Sequence, residues 1–177
     1  MEAGFHALNT TVNDLLSFTA HQDPQRETFL VCDLVNEVCD SLTTQLDAQA
    51  IEVERDVPPN TLLNADREMM QQAILNLVRN AVDAMPKGGH LVITSYEGPF
   101  GFELEIADSG PGLSEEEKKQ LFDPFFNTKS TGNGLGLSVV SRIAKSHGGT
   151  VSATNCPEGG AAFTILIPSQ TRGAAAA

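Results

Sequence analysis

Two asparagine amides, one aspartate and a run of glycines are the residues here whose types and spacing could do chemistry. Asn76 and Asn80 lie four apart in "QQAILNLVRNAVDAM" (71–85), so both amides leave the same helix face, and Asp83 falls near the same stripe. Ala73, Ile74, Leu77, Val78, Ala81, Val82 and Ala84 make the segment apolar almost all around. Two amides on a helix this buried need hydrogen-bond partners or a ligand. Capping of neighbouring backbone is the plainer use. An amide oxygen is also a hard donor of the kind Mg²⁺ takes.

The second group is "ADSGPG" (107–112), directly after a half-buried strand pattern. Asp108 at a strand end can accept a hydrogen bond from an exocyclic amine, and Gly110 and Gly112 allow a tight turn beside a flat ligand. Taken alone, the same letters are ordinary turn chemistry. The third is "KSTGNGLGLSVV" (129–140), where Gly132, Gly134 and Gly136 open a helix. It is neither a P-loop nor a dinucleotide fingerprint. Unpaired N–H groups and the dipole at a helix start favour a phosphate, and Lys129 could add positive charge. Between these two groups lies "LFDPFFN" (121–127), with Phe122, Phe125 and Phe126 around Pro124. A long connection with clustered aromatics suits a lid, and equally a small satellite core.

The elements that must carry these groups follow from the pattern. Strands are expected at Thr28–Val31, Ile51–Val57, Leu91–Glu97, Phe100–Ala107, Thr150–Asn155 and Ala161–Ile167. One helix runs from Asp33 to about Ala50. A second is capped by Asp66 and stopped after Met85 by Pro86. A third spans Leu135 to His147 and closes at Gly148-Gly149. "SEEEKKQLF" opens with a capping box, Ser114 to Glu117. The sum is an α+β domain: about five strands in a mixed sheet, with three main helices on one face. Ahead of it Phe5, Leu8, Val12, Leu15 and Thr19 form a coiled-coil-like seam, and "HQDPQRE" ends that helix as a linker.

Composition narrows the class. A length of 177 residues with 41% apolar content supports one domain and its core. No stretch approaches the ~20 apolar residues of a membrane span, and no secretory signal is visible. Cys32, Cys39 and Cys156 are odd in number without metal-ligand spacing, which points to reduced thiols in a cytoplasmic protein. A formal charge of −12 argues against a nucleic-acid surface. Any phosphate must therefore be held by local devices. The closing "RGAAAA" is set aside as a disordered tail.

In this order and spacing the groups resemble the Bergerat ATP-binding fold, the two-layer α/β sandwich shared by sensor histidine kinases, Hsp90, type II topoisomerases and MutL. "NLVRNAVDA", "DSGPG", "FDPFF" and "GNGLGL" resemble the N, G1, F and G2 boxes of sensor histidine kinases, nearest to the nitrogen-regulatory type. The resemblance covers 28–168 as a catalytic ATP-binding domain. It makes 1–22 part of the second helix of a dimerisation hairpin, 23–27 a linker and 169–177 a tail. It implies ATP and Mg²⁺ as cofactors: Asn80 as metal ligand supported by Asn76, and Asp108 on the adenine amine. Thr164 of "AAFTIL" would reach adenine through water. Gly110 and Gly112 would let the loop hug the base, with Leu113 and Leu137 walling the pocket. The amides from Asn133 through Gly134, Leu135 and Gly136 to Leu137 would cradle phosphates behind Gly132, with Lys129 toward the γ-phosphate.

Hydrolytic relatives typically carry a Glu, the water-activating base, where Asn76 stands, and an amide cannot take a proton. Water attack should therefore be slow, and ATP kept for a specific acceptor. Two departures matter. Asp83 and Ala84 stand where many sensor kinases have a base and an aromatic, which shifts phosphate contacts toward Lys129, with Arg79 as helper. No phosphoacceptor box is present, and His6 lacks its context. The resemblance thus implies a domain that phosphorylates a histidine on a dimerisation helix of a homodimeric parent kinase, which in turn serves a response-regulator receiver domain. A nucleotide-sensing interaction module and an anti-sigma-type serine kinase of the same fold are the alternatives.

Overall fold

The computed structural model describes residues 23–126 and 134–169. Strand β1 (Arg26–Leu30) leads directly into helix α1 (Val31–Ser41), which buries Val31, Leu34, Val35, Val38 and Cys39 along one stripe. The single helix expected from Asp33 to about Ala50 is instead two, because α2 (Thr43–Ala48) starts afresh after Leu42. Hydroxyls explain the break. Ser41 Oγ donates to the Val38 carbonyl at 2.7 Å and Thr43 Oγ1 to the Cys39 carbonyl at 3.3 Å, competing for acceptors the helix would use.

Strand β2 (Ile51–Asp56) follows, and then β3 (Leu62–Asp66), which pairs antiparallel with β1 from Arg26↔Asp66 to Leu30↔Leu62. This two-stranded ribbon is not evident from sequence. Arg26 and Glu27, read there as linker, are its first two residues.

Helix α3 (Arg67–Ala84) is set by Asp66, whose Oδ1 accepts from the Met69 N–H at 3.0 Å. Its buried residues, Met70, Ala73, Ile74, Leu77, Val78, Ala81 and Val82, make one continuous stripe. The helix is therefore amphipathic rather than buried all round, and the face opposite the core is left for Asn76, Asn80 and Asp83. Strands β4 (Gly89–Gly98) and β5 (Gly101–Asp108) form a hairpin. After the short α4 (Glu115–Gln120) come α5 (Gly136–Ser146), β6 (Thr150–Asn155) and β7 (Ala161–Pro168).

The main sheet has the order β2-β4-β5-β7-β6, parallel between β2 and β4 and antiparallel elsewhere. Its inner face carries Leu91, Ile93, Phe102, Leu104, Ile106, Phe163, Ile165 and Ile167 against the helices. Side chains of this size contribute roughly 1.5–3 kcal/mol each when fully buried. The outer face, with Glu103, Glu105 and Thr164, is polar and open. The expected two-layer α+β sandwich is what forms. The seam within 1–22 and the tail from 170 onward lie outside the described residues.

His147, at the C-terminal end of α5, joins distant parts of this frame. It is 3% exposed. Its Nδ1–H donates to the Ile143 carbonyl at 2.8 Å, and its Nε2 accepts from the Asp66 N–H at 2.9 Å. Arg26 donates to its carbonyl at 3.0 Å. Burial pushes the imidazole below the usual histidine range, with the Arg26 charge adding to that against the opposing pull of Ile143 and Asp66. Protonation would strip Nε2 of its acceptor role. The folded state thus prefers neutral His147, so the contribution is complete above a pH of about 6.5 and is lost as pH falls below it. In urea titrations at pH 7.5 and 5, His147→Gln should lower stability by about 1–3 kcal/mol at the higher pH and less at the lower. An equal loss at both pH values would contradict a neutral buried imidazole.

Candidate functional site

Three chain segments meet along the exposed side of α3. At its middle, Asn76 Nδ2 donates to the Gly136 carbonyl at 3.4 Å, tying α3 to the first residue of α5 across sixty positions. That end of α5 has Leu135 as N-cap, a residue without a side-chain oxygen to close it. A helix start of this kind favours an anion through its N–H groups and dipole. Asn80, one turn further along α3, is half-buried and its amide has no partner among the described residues. Asp83 is exposed on the same face. Leu137 packs partly against the core and Leu135 is buried.

The C-terminal end of α3 touches the second segment. Asp108, the last residue of β5, is 5% exposed. Its Oδ1 accepts from the Gly110 N–H at 2.8 Å and from the Ala161 N–H at 3.4 Å. Gly110 is required by close approach, since a Cβ there would lie 2.7 Å from Asp108 Oδ1 and 3.1 Å from the Ala84 carbonyl. Ser109 anchors the turn to β4 through its N–H to the His90 carbonyl at 3.1 Å and its Oγ accepting from the His90 N–H at 2.9 Å. The two polar centres, Asn76 with Gly136 and Asp108 with Gly110 and Ala84, are thus eight residues apart along α3. That is roughly 12 Å at the helical rise, a span suited to an extended nucleotide.

The third segment is the aromatic connection. The capping box forms as expected: Ser114 Oγ accepts from the Glu117 N–H at 3.2 Å, and Glu117 Oε2 accepts from the Ser114 N–H at 2.7 Å. The phenylalanines divide. Phe122 and Phe126 pack on the core, whereas Phe125 is 68% exposed with a left-handed φ of 67°. Its N–H donates to the Gly134 carbonyl at 3.0 Å. Gly134 has φ +67°, and a Cβ there would come 2.6 Å from Phe125 C. This glycine therefore serves close packing of the two roots of the aromatic connection. Gly136 has no comparable conflict, as a Cβ would sit 3.8 Å from Asn76 Cγ, in ordinary contact. Lys129, Gly132 and Asn133 lie outside the described residues.

Thr164 requires a correction. It stands opposite Glu105 in the β5–β7 register, and its Oγ1 donates to Glu105 Oε2 at 3.1 Å on the open face of the sheet. Asp108 lies on the inner face with Ile106 and Leu104. The two-residue alternation of strands puts Thr164 and Asp108 on opposite sides. The residue of β7 that reaches Asp108 is Ala161, through its backbone. Two other residues at the site had no local sequence signal. Asn155 binds both backbone groups of Leu113, and Cys156 lies near Asp108. Burial, followed by the Asp108 and Glu105 charges, pushes the Cys156 thiol up, so it stays protonated. Their placement depends on pairing across more than forty residues.

Fold and site together define a class: a two-layer α/β sandwich whose polar groups are strung along one helix, from the start of a second helix to a buried strand-end carboxylate. Residues 65–171 match the family described as histidine kinase-, DNA gyrase B- and HSP90-like ATPases. The chain is 32% identical over 151 residues to sporulation kinase C of Bacillus subtilis (strain 168), covering 82% of this chain and 35% of that protein. Its fold superposes on the catalytic domain of histidine kinase ThkA in a nucleotide-free form with a TM-score of 0.76 and 32% identity, covering 81% of this chain and 95% of that one. Against ThkA in complex with response regulator protein TrrA the TM-score is 0.80 at 28% identity, covering 94% and 48%. The chain belongs to the histidine kinase-, DNA gyrase B- and HSP90-like ATPase family, and within it to the histidine kinase catalytic domains. It spans about a third of the length of the curated relative. No helix among the described residues is long and apolar enough to cross a membrane.

Proposed function

We propose that this domain binds Mg-ATP along α3 and passes the γ-phosphate to a histidine on a dimerisation helix of its parent kinase. The observation that carries the reading is the two-centre arrangement on α3, with Asn76 beside the N-terminal end of α5 and Asp108 buried beside Ala84. Adenine would sit at Asp108, which accepts its exocyclic amine, between Gly110, Gly112, Leu113 and Leu137. The triphosphate would reach the backbone of Gly134 to Leu137, with Gly132, Asn133 and Lys129 completing the cradle. Phosphoryl transfer needs positioning and charge neutralisation more than covalent help from the protein.

The donors present fit a magnesium ion brought in with the phosphates. Asn80 offers an amide oxygen without a partner among the described residues, while Asn76 is engaged with Gly136. Among those residues no three His, Cys, Asp or Glu side chains converge on one point. Asn80 would hold the ion together with phosphate oxygens, and the ion would offset phosphate charge. Asp83, exposed on the same face, would reach this end through water. Asn76 as an amide has no basic site for activating water, so ATP is kept for the acceptor. There the histidine ring nitrogen attacks the γ-phosphorus, the bond to the ADP oxygen breaks, and ADP leaves.

Residues 1–22 are read as part of the dimerisation hairpin, 23–27 as the connection, 28–168 as the catalytic unit and 169–177 as a tail. The parent is read as a homodimer with its catalytic domains in the cytoplasm, where a receiver domain collects the phosphate. The ThkA–TrrA complex supports that last partner.

Mixing the chain with labelled Mg-ATP and a dimerisation domain that carries an intact histidine box should give acid-labile phosphate on the latter. Nucleotide binding with no transfer would favour a nucleotide-sensing module instead. Acid-stable phosphoserine on a partner would favour an anti-sigma-type serine kinase.

A further inference from the structure

The turn that follows Asp108 is held at its far end by a residue from another strand. Asn155, the last residue of β6, places Oδ1 2.8 Å from the Leu113 N–H and Nδ2 2.8 Å from the Leu113 carbonyl. One side-chain amide thus pairs with both backbone groups of one residue, as a neighbouring strand would. Ser109 fixes the near end of the turn to β4. Between these two anchors lie Gly110-Pro111-Gly112, where the Gly110 N–H donates to Asp108 Oδ1. Leu113 packs partly against the core and is followed by Ser114, which caps α4 and begins the aromatic connection. Asn155 also stands in register with Ala161, whose N–H reaches Asp108 Oδ1. The β6–β7 hairpin therefore touches the base end of the site twice, once at Asp108 and once at Leu113.

We propose that Asn155 is a positioning residue of the nucleotide site: by clamping Leu113 it holds the turn against the base and fixes where the aromatic connection begins. This rests on the nucleotide-binding reading above. It acts through Leu113 and not by touching nucleotide, so its effect belongs to the base end and is blind to phosphate number and to magnesium.

Titration calorimetry separates the possibilities, using ADP in EDTA and ATP with Mg²⁺. In Asn155→Ala both dissociation constants should rise by the same factor, about five- to tenfold for two lost hydrogen bonds. Asn155→Gln carries the same amide on a longer arm and should recover part of the loss. Amide exchange followed by NMR should accelerate at Leu113 while the Leu77 amide in α3 keeps its protection, which shows the variant is folded. Should Asn155→Ala not fold, the glutamine variant carries the same comparison. Unchanged affinities in a folded Asn155→Ala overturn the role, as does a loss confined to Mg-ATP. Wild-type protein that binds neither nucleotide overturns the nucleotide reading itself, and the positioning role with it.

Discussion

Asp108→Asn is expected to weaken ATP binding by about one to two orders of magnitude and to turn the preference toward a 6-oxopurine nucleotide such as ITP. The buried carboxylate accepts the exocyclic amine in the proposed pose, a hydrogen bond to a charged group worth about 1.5–3 kcal/mol, and each 1.4 kcal/mol is about tenfold in affinity. Asparagine keeps an oxygen for the Gly110 and Ala161 N–H groups, so the turn persists. The group facing the base becomes a donor. It then opposes the adenine amine and matches the carbonyl of hypoxanthine. Asp108→Ala should lose ATP affinity without gaining ITP, since it offers neither. Competition titrations with both nucleotides on wild type and the two variants give the ratio directly. A ratio that stays constant across all three would remove Asp108 from base recognition.

Asn80→Ala is expected to erase the magnesium-dependent part of ATP affinity, on the order of a hundredfold, while leaving affinity in EDTA at the wild-type level. The substitution sits in mid-helix, where alanine has the higher helix propensity, and it breaks no hydrogen bond to a described residue. The variant therefore keeps its fold. Asn76→Ala should behave differently. It releases the Gly136 carbonyl and loosens the α3–α5 contact, lowering affinity with and without the metal. Equal magnesium enhancement of ATP binding in wild type and Asn80→Ala would show that Asn80 is not the metal ligand.

Several features of this protein are legible in its letters because their causes are local. Asp66 three residues before Met69, and Ser114 three before Glu117, are caps that any chain with these spacings would form. The alternation of Phe102, Leu104 and Ile106 with Glu103 and Glu105 decides which face of β5 is buried. Even the family is carried by the order and spacing of Asn76/Asn80, Asp108 and Gly132–Gly136 along the chain.

What sequence missed is equally physical. The helix break at Leu42 comes from hydroxyls capturing carbonyls one turn back, a competition whose winner depends on packing. The β1–β3 ribbon needs a partner strand more than thirty residues away, and five-residue strands carry little pattern of their own.

Thr164 shows the limit most sharply. The resemblance implies that it reaches adenine, but a strand reverses its face at every residue, so it lies across the sheet from Asp108. Sequence alone determined most of the element types, the core stripes and the family. Tertiary structure decided which groups meet: Asn76 with Gly136, Ala161 with Asp108, and Asn155 with Leu113, contacts made only when strand register and helix packing close the distance.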